Sequence, residues 1–161
     1  MSYAAENVLD RYWDRLLPVD PFKIAEAWGA RVEPLVDSDF DNAGLSGLAV
    51  MKEGVPRIYF DSSEHRNRQR FTVAHELGHH VLGHTRDGEM HRDLAANYST
   101  GAIPFQEKQA NQFAAELLMP ESAIRMLITR EGVTSTLQLA KIFNVSEAAM
   151  HWRLKGIGLA Y

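Results

Sequence analysis

The spacing of apolar positions changes period along the chain in an order that predicts helices, then a small sheet, then helices again. Residues 2–17 read as a helix with Val8, Tyr12, Leu16 and Leu17 on one face. Asp20-Pro21 supplies an N-cap and a first-turn proline for a short second helix, which Gly29 ends. Arg31–Val36 reads as a strand. The apolar runs Gly47–Met51 and Pro56–Asp61, separated by Lys52-Glu53-Gly54-Val55, read as a β-hairpin. From Ser62 to Leu82 the period becomes helical, with Asp61 and Glu64 as a capping box. Phe71, Ala74, Leu77, Gly78, Val81 and Leu82 form its apolar stripe. Residues 83–104 are polar and glycine-containing and read as one long irregular loop, a length that compact domains seldom carry unless the loop works or is disordered. Glu107–Leu118 is helical and stops at Met119-Pro120. Three shorter helices follow, at 121–130, at 136–143 opened by Ser135 with Gln138, and at 147–155 opened by Ser146. This order is α+β.

Composition narrows the chemistry. The chain has 161 residues and a mass of 18.1 kDa, a size at which folding buries roughly 70% of the extended chain's surface. With 45% apolar and 24% charged residues it is neither disordered nor fibrous. It contains no cysteine, which excludes disulfides, thiolate metal sites and cysteine nucleophiles, so any metal must be held by His, Asp or Glu. A net charge of −4 argues against a wholesale electrostatic grip on nucleic acid. The N-terminus lacks the apolar core of a signal peptide and no run is long enough to span a membrane. The expectation is therefore a cytoplasmic protein without membrane partners. No repeat or linker interrupts the chain, so a single domain over 1–161 is expected.

The strongest local signal is His75-Glu76-Leu77-Gly78-His79. Histidines four apart on a helix lie on one face about a turn apart, so both imidazoles can reach one metal ion, and zinc takes imidazole nitrogen readily. Glu76 projects from the neighbouring face, where its carboxylate can accept a proton from water rather than bind the ion. A catalytic zinc needs a third protein ligand and an open position. Glu107 heads a helix that also carries Asn111 one turn on, and would complete a His₂Glu set. Asn111 could then accept a hydrogen bond from a ligand imidazole. His84 is the alternative third ligand. The longer pattern H-E-x-x-H-x-x-G-x-x-H would need Gly at 82 and His at 85, where this chain has Leu82 and Thr85, so Glu107 is favoured. His80 and His84 read otherwise as a pair at a helix C-terminus, where positive charge suits the dipole. His₂Glu suits zinc best, although manganese or iron could occupy it.

The block Arg70-Phe71-Thr72-Val73-Ala74-His75-Glu76-Leu77-Gly78-His79-His80 is followed by Glu107-x-x-Ala110-Asn111-x-Phe113-Ala114 and Leu117-Leu118-Met119-Pro120. Together they resemble the ImmA/IrrE family of metallopeptidases. Ile24-Ala25-Glu26-Ala27-Trp28-Gly29 and Ile58-Tyr59-Phe60-Asp61 agree with it. The resemblance covers roughly residues 20–160. It implies a small zincin-like fold, with the active-site helix packed on a short, mainly antiparallel sheet and a helical C-terminal part after it. That divides the chain into a metal-site core over 1–120 and a helical subdomain over 121–161. It also implies that His75, His79 and Glu107 hold zinc, that Glu76 is the general base, and that Asn111 supports a ligand from behind. The implied activity is a zinc endopeptidase that cleaves a helix-turn-helix transcriptional repressor, often encoded beside it, and so relieves repression. The alternative is a toxin-like or regulatory binding module, paired with a repressor or antitoxin-like partner, that cuts little or nothing.

Other features have plainer readings. Residues 137–156 carry two short helices joined at Asn144-Val145-Ser146, a helix-turn-helix pattern. Glu147, Ala148, His151 and Arg153 are expected on the exposed side of the second helix. That helix offers few donors for base edges, so packing is favoured over DNA binding. Arg66, Arg68 and Arg70 form a basic run, read as a solvated helix face ahead of a steering role for acidic substrate. Trp13, Trp28 and Trp152 are expected as core or interface anchors. Tyr98 and His91 in the long loop are candidates for oxyanion stabilisation.

Overall fold

The computed structural model describes residues 3–36, 44–86, 90–94 and 103–159. Helices α1 (Tyr3–Tyr12) and α2 (Pro21–Trp28) lead into strand β1 (Arg31–Pro34) and the hairpin β2 (Leu45–Lys52) and β3 (Val55–Phe60). Helix α3 (Arg66–Val81), strand β4 (His91–Leu94) and α4 (Phe105–Leu118) follow. Three short helices, α5 (Glu121–Thr129), α6 (Thr136–Phe143) and α7 (Glu147–Gly156), end the described chain. The architecture is α+β, as expected.

Helix α1 is shorter than its apolar pattern suggests. Asp14 accepts from Leu16 N at 2.9 Å, Trp13 Nε1 donates to Leu16 O at 3.0 Å, and Arg15 takes φ +67°. This local side-chain turn competes with the helix and ends it, leaving Leu16 67% exposed rather than on the buried face. Helix α2 starts as predicted, with Asp20 accepting from Phe22 N and Lys23 N. The hairpin closes through Glu53 and Gly54, both at positive φ, which is the two-residue turn whose twist suits paired strands.

The sheet has the order β1-β3-β2-β4, with β1 parallel to β3 and both other pairings antiparallel. β4 lies inside the segment expected to be one irregular loop. Its His-Arg-Asp-Leu sequence has no alternating apolar signal, and it pairs with β2 through its main chain at the sheet edge. Alternation gives the sheet two faces. Leu48, Val50 and Tyr59 form a small cluster with Leu35 on one side. Gly47, Ala49 and Ile58 fall on the other, against α3, and Ile58 belongs to the main core.

Helix α3 is the centre of the molecule. Its N-terminus differs from the expected capping box: Asp61 accepts from Ser63 N at 2.9 Å, and His65 Nδ1 caps the helix by accepting from Asn67 N at 3.1 Å. Glu64 instead receives the Ser46 hydroxyl at 3.2 Å, tying this turn to β2. From Thr72 to His80 every residue of α3 is buried, because the helix lies between the sheet and α4 rather than on a surface. Two glycines allow this. A Cβ at Gly47 would collide with Thr72 Cγ2, and one at Gly78 would sit 3.0 Å from the Phe113 ring of α4. Gly78→Ala is therefore expected to push α4 away and to destabilise the fold by about 1–3 kcal/mol. Urea unfolding measures this cost, and an unchanged midpoint would show that Phe113 can yield.

The C-terminal helices share the same core through Ile124, Leu139, Phe143, Met150 and Leu154. Arg70 does not belong to a solvated face. It is buried, and its guanidinium donates to Phe143 O at 3.2 Å and Asn144 O at 3.4 Å, meeting the carbonyls at the end of α6. Arg68 pairs with Glu64 at 4.0 Å, and Arg66 lies over the Phe22 ring at 4.3 Å. In α7, Glu147, Ala148 and His151 are exposed as expected, but Arg153 turns inward and donates to Met119 O at 2.9 Å. Trp13 and Trp28 pack against the core, whereas Trp152 is 64% exposed.

Candidate metal centre

The i,i+4 spacing on α3 places His75 and His79 on one face, and α4 delivers Glu107, 32 positions from His75 in sequence, opposite them. His75 Nε2 lies 2.9 Å from Glu107 Oε2, and His79 Nε2 lies 3.0 Å from Glu107 Oε1. The two ring nitrogens are 3.2 Å apart. Zinc bonds to nitrogen and carboxylate oxygen run about 2.0–2.1 Å, so ligand atoms on a tetrahedron around it stand about 3.3 Å from one another. The three spacings are close to that edge length, and the donor set fits a single divalent ion.

Glu76 supports the same fit. It is 0% exposed, and neither carboxylate oxygen has a hydrogen-bond partner among the described residues. A buried carboxylate left alone is costly, so its position suits a site in which a cation and water complete its surroundings. Gly47 of β2 makes room for it, since a Cβ there would stand 3.0 Å from Glu76 Oε1.

Burial is the main influence on the neighbouring imidazoles. It pulls the His79 pKa down to about 4, against the raising effect of the Glu107 hydrogen bond. Burial also lowers His80, against its bond to the Arg57 carbonyl. Both rings are neutral at pH 7, the form a ligand requires. His80 therefore does not serve the helix dipole as a cation. Its Nε2 bonds Arg57 O at 2.8 Å and its Nδ1 meets Thr85 Oγ1 at 2.8 Å, fastening α3 to β3. In the unfolded chain these rings protonate near 6.5. Between that pH and the lower folded values the unfolded state binds more protons, so stability falls as pH falls. The urea midpoint of metal-free protein is expected to decline steadily from pH 6.5 toward 4; a flat profile would contradict neutral, buried rings.

The other candidates separate. Asn111 Oδ1 is buried without a hydrogen-bond partner among the described residues, so it does not meet a ligand imidazole here. His84 stands behind His79 rather than in the triangle, with Nδ1 to Nδ1 at 2.9 Å. His91 stacks on His79 with ring centres 4.1 Å apart; its Nε2 donates to His84 O at 2.8 Å, and its Nδ1 lies 3.6 Å from Glu107 Oε1. His79, His84 and His91 thus form a second close group of potential ligand atoms. Spacing offers His84 only as the alternative third ligand or a dipole partner and does not register this support position, because the turn after α3 folds it back. Tyr98 lies outside the described residues. A cavity of about 650 Å³ lies between α3, α4 and α7, lined by none of His75, Glu76, His79 and Glu107. Phe71, Leu118, Met119, Val145 and Trp152 line it, and the Phe71 ring stacks on His75 at 5.9 Å.

Sequence comparison agrees with this geometry. The profile of the IrrE N-terminal-like domain family, Peptidase M78, matches residues 25–155. The chain is 34% identical over 100 residues to the radiation response metalloprotease IrrE of Deinococcus radiodurans, covering 60% of this chain and 30% of that protein. It is 35% identical over 100 residues to the protein of the same name from Deinococcus deserti, covering 60% of this chain and 35% of that one. It is 28% identical over 118 residues to the metallopeptidase ImmA of Bacillus subtilis, covering 73% of this chain and 68% of that protein. The matched region thus spans about a third of each IrrE protein. A helix carrying two histidines and a buried glutamate, faced by a second helix with the acidic partner, suits metal-dependent hydrolysis, and by the profile match over residues 25–155 the chain belongs to the IrrE N-terminal-like family of metallopeptidases.

Proposed function

We propose that the protein is a zinc-dependent endopeptidase, with His75, His79 and Glu107 as the metal ligands and Glu76 as the general base. The observation that carries this reading is the buried, unpartnered Glu76 carboxylate beside three converging ligand atoms. A zinc ion held there supplies Lewis acidity toward a scissile carbonyl and toward water. Glu76 takes the proton of the attacking water and passes it to the departing amine. Its burial keeps bulk water from competing for that proton. Phe71, whose ring stacks on His75, also lines the apolar cavity between α3, α4 and α7, which offers a wall for substrate near the site. A purely structural metal site has no use for a buried carboxylate next to the ion, which favours cleavage over binding alone.

The substrate we propose is a helix-turn-helix repressor encoded nearby, with cleavage relieving repression in the cytoplasm. DNA binding by α6 and α7 is disfavoured: Arg153, one of the few cations there, is turned into the protein. Intact-mass analysis after mixing the zinc-loaded protein with that repressor tests the proposal. Two repressor fragments are expected. A stable complex with both chains uncut would assign the protein to the binding or toxin-like class instead.

A further inference from the structure

Gln109 of α4, His84 in the turn after α3, and His79 form a hydrogen-bonded chain that ends at the metal position. His84 Nε2 lies 3.0 Å from Gln109 Oε1, and His84 Nδ1 lies 2.9 Å from His79 Nδ1. His79 Nε2 is the nitrogen that faces Glu107 and His75. A carboxamide oxygen has no proton to give, so the proton of the first link sits on His84 Nε2. A neutral imidazole carries one ring proton, so His84 Nδ1 must accept in the second link. The proton of that link then belongs to His79 Nδ1, in competition with the Glu107 carboxylate, which lies 3.0 Å from His79 Nε2 and can likewise only accept. Reversing the order would place a proton on His79 Nε2, where it would block a cation.

We infer that Gln109 and His84 are positioning residues that shift His79 toward its Nδ1–H tautomer, against the pull of Glu107 on Nε2, so that the Nε2 lone pair is available to the metal. The inference rests on His79 being a ligand, as in the function proposed above. The structure also holds the ring planes. His91 stacks on the His79 ring at an interplanar angle of 17° and donates from Nε2 to the His84 main-chain oxygen, so the turn that presents His84 is tied to the edge strand β4. One acceptor atom on α4 thereby biases the tautomers of two histidines on and after α3. The same helix supplies Glu107, so correct docking of α4 delivers both the third ligand and the correct tautomer of the second.

Two readouts test this on the full chain at pH 7.5. The first is the ¹⁵N spectrum of the histidine rings in metal-free protein, in which the Nδ1–H and Nε2–H tautomers differ in their long-range couplings. The second is zinc affinity by chelator competition. Wild type is expected to show a larger Nδ1–H share at His79 than variants that break the chain. Gln109→Leu, which removes the acceptor, should shift His79 toward Nε2–H and weaken zinc binding by about 10- to 100-fold. His84→Ala should do the same. Gln109→Glu, which can only accept, should keep the wild-type tautomer and hold affinity within a few-fold. An unchanged tautomer share and an unchanged affinity in Gln109→Leu would overturn the inference. So would two zinc ions bound by wild type and one by His84→Ala, since His79, His84 and His91 would then be a metal site of their own. Because the tautomer is read without metal, a wild type that shows Nδ1–H yet binds no zinc would refute the proposed function separately.

Discussion

Glu76→Gln is expected to lower peptide hydrolysis by roughly 10²- to 10⁴-fold, the range a positioned general base contributes, while fold and metal content stay intact. The substitution changes one atom and removes the group's ability to take a proton at neutral pH. Size is preserved, so the close approach to β2 at Gly47 is undisturbed. Glu76 is fully buried with no hydrogen-bond partner among the described residues, so the isosteric amide breaks no existing hydrogen bond and should leave thermal stability close to wild type. This separates chemistry from structure: a variant that had merely unfolded would lose both activity and melting temperature. Turnover of the repressor, zinc content and the thermal midpoint measured together decide the matter, and a variant that still cuts at the wild-type rate would remove Glu76 from the base role.

Glu107→Ala is expected to cost more zinc affinity than any other single change outside the two ligand histidines. The carboxylate contacts both of them, with Oε2 at 2.9 Å from His75 and Oε1 at 3.0 Å from His79. Without it, two imidazole ligands remain and no carboxylate ligand offsets the charge of the cation. Loss of support from behind a ligand costs about 10- to 100-fold; loss of one of three ligands should exceed that. Zinc competition on Glu107→Ala and His84→Ala in parallel tests the ranking. If His84→Ala strips the metal and Glu107→Ala does not, the ion sits among His79, His84 and His91, and the triangle with Glu107 is not the site.

Legibility from sequence followed the range of the interactions involved. Asp20, Ser135 and Ser146 cap their helices as read, each accepting from a main-chain N–H two or three residues on. The hairpin is where its Gly-containing connection placed it. β4 was invisible because an edge strand held by main-chain bonds needs no apolar alternation. Apolar periodicity overruns the end of α1 because Asp14 and Arg15 build a turn that it does not register.

At the site, the facing of His75 and His79 follows from helix geometry alone, since any α-helix brings residues i and i+4 to one side. The sequence by itself determined that pair, the α+β order and the absence of any thiolate ligand. Tertiary structure decided the rest. It brought Glu107 across from α4, left Glu76 without a partner, turned Arg70 and Arg153 inward onto main-chain carbonyls, and set His84 behind His79. Backbone geometry over one turn is the same in every helix. Which faces meet, and which polar groups are then enclosed, depends on how two glycines let α3 lie against the sheet on one side and α4 on the other.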